Sequence, residues 1–228
     1  MARLRKSGRI LNHPDCRAEL VRAGAEIDSN GGFFSLEPER LFSRPAPLEV
    51  ELGSGKGDFI LERARQLAER NFLAIELAGS VYQWLAVRCA RSGLANLRAI
   101  RADARPVVSL MLPPATISAF HIYFPDPWPK SRHSKHRLFS AALAGGLARC
   151  LEPEGRLYLA TDVEWYFEHI VALLAQAGFA TTGGRPAGVI RTGFGRRFEL
   201  DGRRIHAGCF QLAGVPAGLD RGCVHADC

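Results

Sequence analysis

The chain has 228 residues, 47% of them hydrophobic, and carries a formal net charge of +7 from 30 Lys and Arg against 23 Asp and Glu. That suits one sizeable domain with an extension, and the positive balance favours a polyanionic partner, nucleic acid above all. No apolar run reaches the ~18 residues of a membrane span, and the basic start "MARLRKSGRILNHPD" has no apolar segment of a secretory signal, so a cytoplasmic protein is expected.

Residues 1–45 read as a basic, partly flexible extension; 46–212 as the globular domain; 213–228 as a loose tail. Within the domain, "LEVEL" (48–52) predicts a short apolar strand that runs into a glycine loop. "DFILERARQLAER" (58–70) has its apolar residues at helical spacing. "NFLAIEL" (71–77) predicts a second strand and "SVYQWLAVRCARSG" (80–93) a second helix, stopped by Gly93. Strands follow at 97–103, 119–124 and 155–162, with helices at 137–151 and 163–178. The segment 190–212 predicts a hairpin joined through Asp201-Gly202.

Strands alternating with helices imply a mostly parallel, doubly wound α/β sheet, Rossmann-like, here closed by a C-terminal antiparallel hairpin. In such sheets ligands bind beyond the C-terminal ends of the strands. Acids stand near those ends: Glu51, Glu76, Asp103, Asp126 and Asp162.

The loop "VELGSGKGDF" places Gly53, Gly55 and Gly57 between a strand and a helix. A phosphate-binding loop is excluded, because Val50 stands where its first glycine belongs and Gly57 replaces its Ser or Thr. A dinucleotide fingerprint is disfavoured, because the third glycine comes one residue early. The spacing with an acid two residues before it suits S-adenosylmethionine. Glu76, about 20 residues on, stands where an acid accepts hydrogen bonds from ribose hydroxyls, a geometry shared with NAD. Asp103 stands where a side chain reaches an adenine amino group.

The stretch "HIYFPDPWPKSRHSKHR" (121–137) begins as a buried strand, encloses Asp126 between prolines, and ends in Lys130, Arg132, Lys135 and Arg137 with no acid among them. Proline fixes its own φ and restricts the residue before it, so Asp126 is expected to be held stiffly. The basic run suits phosphate contacts. N-terminal Arg3, Arg5, Lys6 and Arg9 suit the same role. The six cysteines, Cys16, Cys89, Cys150, Cys209, Cys223 and Cys228, form no C-x-x-C pair and read as reduced thiols. Several should fill the core, and no metal site is expected from the tail "CVHADC".

The segments "VELGSGKGDFI", "AIEL", "FPDPWPKSRHSKHRL" and "LATD", and more faintly "RTGFGRRFELDGRRI", resemble the bacterial tRNA (guanine-N7)-methyltransferases over roughly residues 48–210. The resemblance implies a class I methyltransferase fold. It implies S-adenosyl-L-methionine held by Glu51, Glu76, Asp103 and Asp126, with catalysis assigned to Asp126. It further implies a tRNA site at Lys130, Asp162 and Thr192, Gly193, Phe194 and Gly195, and methyl transfer to N7 of a variable-loop guanine at position 46. Three positions depart from the family pattern: Gly195 replaces a Glu, Ser131 a basic residue, and His136 an Arg or Lys. A monomer or homodimer is expected. The competing readings are a methyltransferase of this fold with another substrate, an RNA-binding protein of the fold that has lost catalysis, and a nicotinamide dehydrogenase.

Overall fold

The computed structural model describes residues 35–183, 186 and 192–213, apart from the side chains of Ser131, Ser134 and Lys135. Residues 1–34 of the expected extension, with Arg3, Arg5, Lys6, Arg9 and Cys16, lie outside the described residues. So do residues 190–191 of the expected hairpin and the tail from 214, with Cys223 and Cys228.

Five strands run parallel: β1 (Leu48–Leu52), β2 (Asn71–Glu76), β3 (Leu97–Arg101), β4 (Ile117–Tyr123) and β5 (Leu151–Thr161). The sheet is completed by β6 (Phe179–Thr181) and β7 (His206–Leu212), in the order β3-β2-β1-β4-β5-β7-β6. β7 is antiparallel to both of its neighbours. The main helices are α1 (Asp58–Gln66), α2 (Gly79–Ser92), α3 (Ala141–Cys150), α4 (Glu164–Gln176) and α5 (Gly193–Leu200). The expected doubly wound sheet with antiparallel C-terminal strands is present.

β1 is buried at every position, as a strand covered on both faces must be. Its alternating side chains feed two cores. Leu48, Val50 and Leu52 join Phe120 and Ile122 of β4, Leu143 and Leu147 of α3, and Tyr166 and Ile170 of α4. On the other face, Phe59, Ile60 and Leu61 of α1 pack with Tyr82 and Leu85 of α2, Phe72 and Ala74 of β2, and Tyr123 of β4. Cys89, Cys150 and Cys209 are buried. Among the described residues no helix is long and apolar enough to cross a membrane.

The structure departs from the sequence pattern in three places. α1 ends at Gln66, short of residue 70, because the Asn96 amide donates to the Ala64, Leu67 and Arg70 carbonyls at 2.9–3.3 Å and terminates the helix. α3 begins only at Ala141, where Ser140 Oγ accepts from Leu143 N at 3.2 Å as the helix cap. The predicted hairpin is the largest difference, since its first half is helix α5. Thr192 Oγ1 accepts from Gly195 N at 2.7 Å to start it. Phe194 and Phe198, four residues apart, then face Phe124 with Phe198 centred 5.3 Å away. Asp201-Gly202 is that helix's exit, with Gly202 at φ +65°, and β7 lies instead between β5 and the three-residue β6.

Glu49 and Glu51 share the α1 side of β1. Glu49 is buried, yet fully partnered: Arg63 Nε and Nη2 at 2.5 and 3.1 Å, Arg70 Nη1 at 3.2 Å and His121 Nε2 at 2.9 Å. Burial alone would raise its pKa, but the hydrogen bonds from His121 and Arg63 and the Arg63 charge outweigh it and hold the carboxyl at about 2. The cluster ties β1 to α1 and to β4. A carboxyl depressed in the fold stabilises it above its unfolded pKa, and that contribution is lost as pH falls through the folded value. Glu49→Gln should therefore cost about 3–5 kcal/mol at neutral pH and flatten the acid limb of stability between about pH 4 and 2. Urea unfolding of both chains across that range checks this. A variant as stable as wild type at pH 7 would overturn it.

Candidate active site

The strand order reverses between β1 and β4, and a crevice at such a switch point is where open α/β sheets bind ligands. A cavity of about 710 Å³ lies there. The glycine loop forms one wall. Gly53, Gly55 and Gly57 all have φ between +56° and +79°, the left-handed region that only glycine adopts at no steric cost. Gly53 and Gly55 line the cavity, whereas Gly57 does not. A Cβ on Gly57 would stand 2.5 Å from Leu85 Cδ1, so this glycine lets the loop seat on α2.

Glu76 organises the same loop. One of its oxygens accepts from Gly55 N and the other from Ala78 N, each at 2.8 Å, and both acceptors retain lone pairs at the cavity wall. Ile75, Leu77 and Val81 supply an apolar surface beside it. Asp103 also lines the cavity. It caps the short turn Ala104–Pro106 by accepting from Arg105 N at 3.0 Å, and the Arg105 guanidinium hydrogen-bonded to it holds its carboxyl below the usual range.

Glu51 stands in the opposite condition to Glu49. It is buried in the cavity wall and its Oε2 has no hydrogen-bond partner among the described residues. Burial pushes its pKa well above the carboxylate range, and the nearby Asp58 and Glu76 charges add to this. Among the described residues, then, the cavity wall holds a buried carboxyl oxygen that no cation of the fold neutralises.

Asp126 sits at the cavity rim, exposed, in a loop whose backbone is strained on both sides. Phe124 has φ +53° and Trp128 φ +41°, left-handed conformations costly for bulky residues. Two sets of contacts hold them. Phe124 N donates to Ala160 O at 2.7 Å. Arg137 donates to Pro127 O at 3.0 Å and to Trp128 O at 3.1 and 3.2 Å, and its guanidinium lies over the Trp165 ring at 5.1 Å. Arg137, expected among the RNA-backbone candidates, is thus engaged as a brace of the Asp126 loop. The Trp128 ring packs against His133 and His136, centred 5.6 and 5.4 Å away.

The other expected site residues divide. Thr192, Gly193 and Phe194 line the cavity, Phe194 with 58% of its surface exposed. Gly195 is buried and its N–H is engaged by the Thr192 cap. Lys130 and Arg132 are exposed outside the lining. The side chain of Lys135 is outside the described residues. Asp162, at the end of β5, lies outside the lining and accepts from Arg203 Nη1 at 2.7 Å. Sequence reasoning missed Asp58, Arg105, Tyr123 and Arg197, all of which line the cavity. Asp58 pairs with Arg88 at 2.5 Å, and its place directly after the glycine loop was a usable signal. Among the described residues no group of three or more metal-ligating side chains is assembled.

A family model described as a putative methyltransferase matches residues 45–188. The tRNA (guanine-N(7)-)-methyltransferase of Nitrosococcus oceani is 39% identical over 205 residues, which is 89% of this chain and 86% of the relative. That of Leifsonia xyli subsp. xyli is 35% identical over 189 residues, 82% of each. The chain belongs to the bacterial tRNA (guanine-N7)-methyltransferase family. Its methyl donor is accordingly S-adenosyl-L-methionine, and the nicotinamide reading falls away. Among solved structures, the fold is similar to that of the 16S rRNA methyltransferase KamB, with a TM-score of 0.58 at 20% identity over 78% of this chain and 94% of that one. It is also similar to the aminoglycoside resistance methyltransferase NpmB1, with a TM-score of 0.51 at 17% identity over 73% and 87%. The orphaned Glu51 oxygen, the Glu76 acceptors and the apolar wall beside them fit a cationic nucleoside of this kind.

A carboxyl whose pKa is raised in the fold favours it only below the unfolded value, and that contribution fades as pH rises toward the folded one. Glu51→Gln should therefore be at least as stable as wild type at pH 7, with the gap closing as pH falls to about 4. Thermal melts from pH 4 to 8 alongside cofactor calorimetry check this. The expected pattern is retained stability with weakened binding, and a variant that binds normally would refute the role given to the orphaned oxygen.

Proposed function

We propose that this chain transfers a methyl group to N7 of a variable-loop guanine, position 46, of tRNA, acting in the cytoplasm as a monomer or homodimer through the domain at 46–212. The observation that carries the reading is Asp126, locked between two left-handed residues at the rim of an acid-lined cavity. When bound, S-adenosyl-L-methionine would supply a sulfonium methyl group, its sulfur keeping the electron pair of the broken bond as a neutral thioether. Glu51 would receive its ammonium group, Glu76 its ribose hydroxyls and Asp103 its adenine amine, while Gly53 and Gly55 would allow close backbone approach.

Guanine N7 attacks with its own lone pair and carries no proton, so the chain needs no general base. Orientation carries most of the acceleration, worth ~7–11 kcal/mol where the reacting atoms are held in line. Asp126 accepts from the guanine N1–H and exocyclic amine, which selects the base. Its charge also offsets the positive charge that the purine acquires. Phe194, exposed at the mouth, offers a stacking face. Releasing the guanine from its tertiary pairing costs a few kcal/mol, offset by phosphate contacts from Lys130, Arg132 and Lys135 and from the basic N-terminus. Asp162 and the Thr192–Gly195 segment border the RNA side of the site.

The test is incubation of unmodified tRNA transcripts with a methyl-labelled donor, followed by chemical mapping of the label. Label is expected at a variable-loop 7-methylguanine. Asp126→Asn should lose about 10²-fold in turnover with cofactor affinity nearly unchanged. Label at another base or atom would defeat the reading.

Binding of tRNA should also weaken steeply with salt, on the order of 10³-fold between ~50 and ~200 mM. A flat dependence in filter-binding titrations would rule out the basic surface as the RNA contact.

A further inference from the structure

One buried polar chain is used by neither the cofactor acids nor the basic surface. It runs from Glu49 through His121 to Tyr123, the last residue of β4, whose side chain lines the cavity. His121 is 2% exposed and Tyr123 8%. His121 Nε2 lies 2.9 Å from Glu49 Oε2, and Nδ1 lies 3.0 Å from the Tyr123 hydroxyl. The ring is clamped by Tyr158, stacked at 5.0 Å and 9°, and by Phe59 at 4.8 Å.

The direction of each bond follows from its partners. Glu49 is ionised and only accepts, so His121 Nε2 carries the proton. Burial, with Arg63 and Arg70 nearby, holds the imidazole below its ordinary pKa and therefore neutral at pH 7. Nδ1 is then bare and accepts, and the Tyr123 hydroxyl donates to it. That hydrogen bond fixes the ring, which also packs edge-on against Phe59 at 4.9 Å and 82°.

The anchor sits where position matters most. Tyr123 pairs with Ala160 as the last register position of β4. The next residue, Phe124, enters the left-handed region, and Asp126 follows two residues later.

We propose that His121 and Tyr123 are positioning residues for methyl transfer: the Tyr123 hydroxyl, anchored on His121 Nδ1, fixes the end of β4 from which the Asp126 loop is suspended. This rests on the reading of the cavity as the methyl-transfer site. Through Glu49 and Arg63 the same chain reaches α1, so a single network sets the glycine-loop helix and the Asp126 loop relative to each other.

Three variants separate positioning from plain stability. Tyr123→Phe removes the donor and keeps the ring. His121→Gln sends an amide to the Nε2 position, keeping a donor for Glu49 but no acceptor for Tyr123. His121→Asn places its amide at the Nδ1 position, keeping the acceptor and leaving Glu49 one donor short. Y123F and H121Q should turn over about tenfold more slowly with cofactor affinity by calorimetry nearly unchanged. H121N should keep most of its turnover despite the largest fall in Tm. Nitrogen NMR of the imidazole should show a protonated Nε2 and a hydrogen-bonded Nδ1 in wild type, with the Nδ1 resonance moved in Y123F. Turnover that simply follows Tm across the three variants would overturn the proposal, as would an unmoved Nδ1 resonance. A wild type that binds cofactor yet methylates no RNA would overturn the functional reading and this role with it. An active wild type with a fully active Y123F would overturn this role alone.

Discussion

The Glu49 carboxylate is the constraint on which the arrangement of the site depends. It is buried at the centre of the sheet and takes donors from Arg63 on α1, Arg70 at the approach to β2, and His121 on β4. An isolated charge there would cost several kcal/mol in desolvation, so the fold forms with all partners in place or pays heavily. That makes the junction between β1, α1 and β4 rigid. The glycine loop leads into α1 and the Asp126 loop leaves β4, so both walls of the cavity start from one fixed point.

Rigidity at that point lets strain persist a few residues away. Phe124 and Trp128 hold left-handed backbone conformations on either side of Asp126, and such conformations persist only where the surroundings over-determine them. Here the Phe124 N–H is fixed to β5, and Arg137 bridges two carbonyls of the loop while resting on Trp165. A carboxylate held this way needs little reorganisation to meet a ligand, the condition under which electrostatic stabilisation is most effective.

The sequence carried the sheet and most of the cavity in legible form. Apolar runs bounded by glycine mark parallel strands because such strands are buried on both faces, and the acids at their ends are conspicuous for the same reason. The segment 190–200 misled because "TGFGRRFEL" has the glycines of a turn, whereas its helix depends on the Thr192 cap and on Phe198 meeting Phe124, a residue 74 positions earlier. The role of Arg137 was hidden in the same way. In the sequence it is one more charge in a basic run, and only the folded loop turns its donors inward. β6 is three residues long, too short for alternation to show.

Glu49 and Glu51 are two residues apart on one strand and face the same side, yet the fold drives their pKa values in opposite directions. For Glu49 the chain provides the cations, and the carboxyl falls to about 2. For Glu51 it provides burial and two further acids, and the carboxyl rises. The difference is one of missing partners rather than of the residue itself. A buried carboxyl left without a cation destabilises the fold, and a ligand that brings a cation removes that penalty in the act of binding. Glu51 is thus held in the fold as a buried acid with no cation beside it among the described residues. The neighbouring Glu49 network keeps β1 from relaxing to relieve it.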